Sequence, residues 1–216
     1  MSVRPEFGPS LPALLGARGV SRRTMGIGAA VLALAAVGAW LLIASLRDRA
    51  TLVADGPPVF NLVYAPSILR EARPRDGELA RLVGRRKRIA VAITVRPIEV
   101  PSYARGDVVG GYLPILAERR LHELQEIYGD VEVYDEGKAR ISDQPGYQIG
   151  FGARTPAGRR VFGRDAYVFP DDPGATKGVL LSLRRVLHRK QRTAEQDFFD
   201  KAKDAYASFA FGKSQP

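Results

Sequence analysis

The chain contains no cysteine. That absence excludes disulfides, thiolate nucleophiles, cysteine-ligated metals and a lipoprotein anchor, and it leaves packing alone to hold the framework. Histidine is nearly as scarce, with His122 and His188 the only imidazoles in 216 residues. His122 lies beside the apolar stripe of an amphipathic segment and His188 lies in a basic run, so both read as surface residues. Neither sits in a nucleophile–base motif, and two histidines in separate elements make a poor zinc site. Gly174-Ala175-Thr176-Lys177-Gly178 is too short for a phosphate-cradling loop and precedes a strand pattern where that motif requires a helix. No catalytic residue, cofactor or metal is expected on these grounds.

Hydrophobic residues make up 45% of the chain and charged residues 26%, a globular profile, and the length suits one domain plus an anchor. The formal net charge of +10 favours anionic neighbours. From Met25 through Trp40 to Leu46 the chain runs MGIGAAVLALAAVGAWLLIASL without a charge. As a helix this would extend roughly 33 Å and span a hydrocarbon core. Arg18, Arg22 and Arg23 precede the run, while Arg47 and Arg49 follow it with Asp48 between them. That bias places the N-terminus in the cytoplasm and everything from Ala50 onward outside it, an uncleaved signal anchor in the cell membrane. Ser21-Arg22-Arg23-Thr24-Met25 has some twin-arginine character and Ile43-Ala44-Ser45 is a passable cleavage site, but the apolar run exceeds the usual signal core.

The expected organisation is a cytoplasmic tail over 1–24, a transmembrane helix over 25–46, a stiff spacer over 47–58 ending in Gly56-Pro57-Pro58, an extracytoplasmic domain over 59–211, and a short tail over 212–216. Within the domain, Phe60 to Tyr64 has strand composition, and Ile68 to Ala72 is expected to return beside it as a hairpin. Asp76 to Val83, closed by Gly84, predicts a short helix. Arg88 to Val95 is the clearest strand, with Ile89, Val91, Ile93 and Val95 on one face, and Pro97 and Pro101 are expected to end its pairing. Tyr112 to Tyr128 carries Leu113, Leu116, Leu121, Leu124 and Ile127 at helical spacing, with Pro114 in its first turn and Gly129 as a left-handed cap.

Val131 to Tyr134, Ala139 to Ser142, Tyr147 to Ala153, Arg160 to Phe169 and Gly178 to Leu187 follow as strands joined by short turns. Such connections predict an antiparallel meander. Thr193 with Gln196 is spaced as a capping box for a last helix, Ala194 to Ala207, with Phe198, Ala202, Ala205 and Tyr206 on one face. The fold class is therefore α+β, a mainly antiparallel sheet flanked by helices.

That order of elements, with the opening Phe60-Asn61-Leu62-Val63-Tyr64-Ala65-Pro66 and the closing Phe198-Phe199-Asp200-Lys201-Ala202 to Ser208-Phe209, resembles the PsbP-like α/β/α sandwich. This group includes the photosystem extrinsic protein PsbP and the LpqN-type exported proteins of actinobacteria. The tryptophan often found after the opening proline is missing here. The resemblance covers roughly Val59 to Phe209 and implies an accessory or binding module without catalysis; it assigns no functional residue.

Two basic runs concentrate the positive charge: Arg85, Arg86, Lys87 and Arg88, and Arg184, Arg185, Arg189, Lys190 and Arg192 around His188. No aromatic residues interleave with them, so nucleic acid is not an expected partner. Anionic lipid, a wall polymer or an acidic protein is the expected contact, against the plainer reading of a solvated face that protects a sheet edge. Asp171-Asp172-Pro173-Gly174 reads as a turn before it reads as a carboxylate pair. The expected function is a non-enzymatic accessory or binding domain of the cell envelope. The alternatives are a carboxylate-based hydrolase or transferase, which a pocket holding two of Glu132, Asp135, Asp171 and Asp172 would favour, and a structural subunit docking on a membrane complex through an apolar patch near the basic run.

Overall fold

A computed structural model describes Ile27 and residues 30–40, 48–101, 111–172, 175–187 and 193–212. The chain divides into two units, Met1–Arg47 and Asp48–Pro216. In the first, Ile27 and residues 30–40 are helical with exposed side chains, Trp40 at 67%. Among the described residues no helix is long and apolar enough to cross a membrane. Met25 and Leu46, the expected ends of the span, lie outside the described residues.

The second unit is an α+β sandwich. Strands β3 (Arg70–Glu71), β4 (Ala80–Arg86), β5 (Ile89–Glu99), β6 (Val131–Ile141), β7 (Gln144–Arg154), β8 (Arg160–Val168) and β9 (Lys177–Leu187) form an antiparallel sheet in the order β3-β4-β5-β9-β8-β7-β6. Strands β1 (Ala50–Ala54), β2 (Phe60–Tyr64) and β10 (Ala210–Phe211) form a smaller one in the order β1-β2-β10. Helices α1 (Leu113–Tyr128) and α2 (Thr193–Ala207) complete it.

Alternation along β5 buries Ile89, Val91, Ile93 and Val95 on one face, where they meet Phe60 and Leu62 of β2 and Phe198, Ala202, Ala205 and Tyr206 of α2. The opposite face is covered by α1, whose Leu113, Leu116 and Ala117 pack with Ile149, Tyr167 and Leu180. Strand β9 lies between the two covers, so Gly178 to Leu183 is buried without alternation, as a strand covered on both faces must be.

Several local expectations change once long-range pairing is seen. Residues 50–54 are strand and not spacer: Ala50, Leu52 and Ala54 turn inward, and β1 pairs with β2 along its whole length. The segment after β2 does not fold back on it, because β3 pairs with β4 instead. Residues 80–86, expected to belong partly to a helix, form β4, which pairs with β5 from Ala80↔Val95 to Arg86↔Ile89. Gly84 is not a helix cap but a site of close approach, where a Cβ would stand 2.5 Å from the Ile68 carbonyl oxygen.

Strand β5 runs through Pro97, paired with Val179. Val95 offers its carbonyl to Leu79 on the β4 side, so Pro97, two residues on, turns its missing N–H to the same side, past the end of β4. The two short strands expected around Asp135-Glu136-Gly137 are one strand, β6, bulged between Val133 and Asp135.

Helix α1 matches its expected range, and Gly129 donates its N–H to the Gln125 carbonyl at 2.7 Å, but with φ 80 and ψ −78 it is not the left-handed cap that was expected. Ile127, expected on the buried stripe, is 53% exposed, whereas Arg120, not expected there, is buried. In α2, Gln196 donates to Asp200 at 2.9 Å. The Ala175 N–H bonds the Asp172 carbonyl at 2.9 Å, while Pro173 and Gly174 of the expected turn lie outside the described residues.

The opening and closing segments meet. Phe60 stacks on Phe209 with ring centroids 5.4 Å apart, and Phe209 meets Phe211 edge-on at 5.1 Å. Ser208 Oγ accepts the Val63 N–H at 2.9 Å, and β10 pairs with β2.

Candidate functional site

Strand β9 turns Arg184 and Arg185 to opposite faces of the large sheet, and both are engaged inside the fold. Asp165 on β8, fully buried, accepts Arg120 Nε at 2.8 Å and Arg184 Nη2 at 2.7 Å, while Arg184 Nη1 donates to its other oxygen. Burial alone would push the Asp165 carboxyl up, but the two guanidiniums outweigh it and hold it down at about 2. Arg184 also lies 4.7 Å from the Phe151 ring centroid. Phe151 in turn fills the space over Gly163, where a Cβ would stand 2.3 Å from the ring. On the other face the Arg185 guanidinium is held between Phe162 at 4.7 Å and Phe199 at 4.0 Å, a two-sided cation–π contact. These two arginines therefore bind the sheet together and are not free charge.

The hairpin arginines differ. Register places the ends of four strands in one row, Ile89↔Leu187↔Arg160↔Arg154. At this end of the sheet the β4–β5 hairpin presents Arg85, Arg86, Lys87 and Arg88, and the β7–β8 hairpin presents Arg154, Arg159 and Arg160, all exposed. Among the described residues none of these side chains has a carboxylate within ion-pair distance. Lys87 has φ 49, a conformation that suits a tight turn and is uncommon for lysine. Beside the hairpin, on the face of β3, β4 and β5 that α1 leaves open, Arg70, Arg81 and Arg85 rim a groove of about 280 Å³ floored by Val83, Ala90, Ala92 and Val186. Arg81 is paired with the buried Glu78 at 2.8 Å, which leaves Arg70 and Arg85 as the outward charges of the rim.

The structure thus gathers Arg85, Arg86, Lys87 and Arg88 and separates them in role from Arg184 and Arg185. Arg189, Lys190 and Arg192 lie outside the described residues. Arg70, Arg154, Arg159 and Arg160 were missed. The last three flank the turn Thr155-Pro156-Ala157-Gly158, and pairing the turns by register would have put them beside Arg88.

A second groove, of about 340 Å³, is lined by Asp130, Glu132, Arg154, Arg160 and Phe162 among others. Of the four carboxylates weighed for acid–base work only Glu132 lines it. Asp135 instead bonds Gln148 at 2.8 Å and Arg164 at 3.3 Å, and Asp171 donates its N–H to Gln144 at 3.1 Å. Asp130 and Glu132 are both exposed. His122 is exposed on α1, and His188 lies outside the described residues. Among the described residues no group of His, Asp and Glu side chains has metal-ligand geometry.

No protein-family model matches the chain, and no curated protein sequence matches it. Solved structures do. Cyanobacterial PsbP from Synechocystis superposes with a TM-score of 0.50 over 76% of this chain and 93% of that one, at 11% identity. LpqN of Mycobacterium tuberculosis superposes at 0.50 over 76% and 92%, at 12% identity. The fold is PsbP-like. The yeast Ran-binding protein Mog1p gives a TM-score of 0.49 over 75% and 94%, at 12% identity. At these identities the PsbP-like likeness covers backbone architecture and carries no side chain across.

Proposed function

We propose that this protein is a non-enzymatic accessory domain of the cell envelope, anchored by 25–46 with its N-terminus in the cytoplasm, and that its working surface is the basic end of the large sheet. The carrying observation is the row of exposed cations on the β4–β5 and β7–β8 hairpins, with Arg70 and Arg85 rimming the adjacent groove. Guanidiniums present paired donors that match phosphate and carboxylate oxygens, and an uncompensated cluster attracts anions over a Debye length. An envelope location is supported by the net charge distribution around 25–46 and by the fold shared with LpqN, a protein involved in cell envelope biogenesis.

Among the described residues of the folded unit, the exposed large hydrophobics, Val53, Ile115, Ile127 and Tyr134, belong to neither hairpin, so none of them speaks for a structural docking subunit beside the basic row. Two measurements test the reading. Protease added to spheroplasts is expected to digest the domain, and protection until lysis would sink the topology. The full chain purified in mild detergent is expected to retain anionic material that an Arg86→Gln/Arg88→Gln variant loses; identical material on both would remove the surface from the proposal.

A further inference from the structure

The folded unit starts much closer to the apolar run than the sequence pattern implies. A stiff spacer over 47–58 would let the domain stand off, whereas Asp48 is already fastened to the domain. It accepts the Ser67 N–H at 3.2 Å and a hydrogen bond from the Ser67 hydroxyl. One residue, Arg47, therefore separates Leu46 from a fixed point of the fold. Whatever the disposition of the two units, the covalent chain allows at most about 7 Å between those two Cα atoms.

That fixed point is at the basic end. Ser67 is followed by Ile68, whose carbonyl oxygen abuts Gly84 so tightly that a Cβ there would lie 2.5 Å from it. Gly84 is the residue before Arg85, where the basic β4–β5 hairpin begins. The attachment point and the uncompensated cations thus share one end of the sheet. A tether of about 7 Å, below the screening length of about 8–10 Å at physiological salt, keeps the attachment point of this end within electrostatic reach of a charged bilayer surface.

We infer that the basic end, the Arg85–Arg88 hairpin with Arg154, Arg159 and Arg160, rests on the anionic phospholipid headgroups of the bilayer that holds the protein's own span. This rests on the membrane-anchor reading and adds an orientation to it. The carboxylates at this end, Asp48 on Ser67 and Asp130 and Glu132 beside Arg154 and Arg160, are fewer than the cations and do not reverse the sign. Each basic residue at such a surface favours the bound state by about fivefold, so neutralising three of them shifts the balance between a seated and a lifted domain by about a hundredfold.

The cysteine-free sequence allows single labels. The full chain is placed in nanodiscs with a fluorophore on Ala157→Cys, in the β7–β8 turn, or on Lys138→Cys, whose partner Tyr147 lies seven residues up β7 from Arg154, about 23 Å away. Quenching by headgroup-attached nitroxide is then read in phosphatidylcholine alone and in mixtures with phosphatidylglycerol. The expected result is strong quenching at 157 and weak quenching at 138, dependent on phosphatidylglycerol. It should be abolished at 1 M salt, where screening falls to about 3 Å, and abolished in Arg86→Gln/Lys87→Asn/Arg88→Gln. If that variant fails to fold, Arg154→Gln/Arg159→Gln/Arg160→Gln provides the same test on the other hairpin. Equal quenching at both sites, or quenching indifferent to lipid charge, overturns the headgroup contact and leaves the anchor standing. A chain that does not integrate into nanodiscs overturns the anchor reading itself. A soluble acidic protein that binds the hairpin and keeps the 157 label unquenched overturns the lipid contact in favour of a protein partner.

Discussion

Asp165→Ala is expected to lower the unfolding free energy of the full chain by about 3–5 kcal/mol, because it strands two guanidiniums in the interior without their carboxylate. Arg120 is 8% exposed and Asp165 0%, so at the centre of the triad water replaces the lost carboxylate poorly. The measurement is urea unfolding of the detergent-solubilised protein followed by near-ultraviolet circular dichroism. A loss below about 1 kcal/mol would mean that the two arginines reach solvent easily and that the triad does not hold the sheet. Replacing all three residues, Arg120→Met/Asp165→Leu/Arg184→Met, is expected to recover most of the loss, since apolar residues of similar volume need no partner.

Acid should produce the same effect in the native protein. The folded-state carboxyl of Asp165 is held at about 2 against an ordinary value of 3.8. Its contribution is therefore fully present above pH 4 and is lost as pH falls through about 2, a change of about 2 kcal/mol that the Asp165→Asn variant should lack.

Phe209→Ala is the second large effect, about 3–5 kcal/mol. Phe209 is fully buried, stacks on Phe60 and receives Phe211 on its edge, so truncation opens a cavity where β2 and β10 of the small sheet converge. Phe211→Ala, at a half-buried ring, is expected to cost about 1–2 kcal/mol in the same unfolding assay. Equal losses at the two positions would show that the closing segment is held by general burial and not by the Phe60–Phe209 stack.

The same residues show how far sequence reading reaches. The β5 stripe of Ile89, Val91, Ile93 and Val95 and the α2 face of Phe198, Ala202, Ala205 and Tyr206 were legible because each repeats at the period of its own backbone, and all are buried. Residues 80–86 were misread because Asp76, Glu78 and Gly84 imitate helix punctuation. Glu78 is in fact buried against Arg81, and Gly84 is set by Ile68, a neighbour through space. Strand β1 was missed because five residues of weak alternation become a strand only beside β2.

Charge was read correctly as abundant and less well as placed. Arg88 and Arg185 look alike in the sequence. The fold leaves the first exposed at the hairpin and holds the second between Phe162 and Phe199, on β8 and α2.

By itself the sequence determined the absence of thiol chemistry, the uncharged run over 25–46, the α+β class and the faces of its clearest elements, because these depend on composition and on spacing within a few residues. The tertiary structure decided where the folded unit begins, which strands are neighbours, and which arginines are committed to Asp165 or to aromatic rings and which are left at the basic end. Those outcomes depend on partners such as Arg120 and Asp165, 45 residues apart in the chain, whose meeting no local pattern encodes.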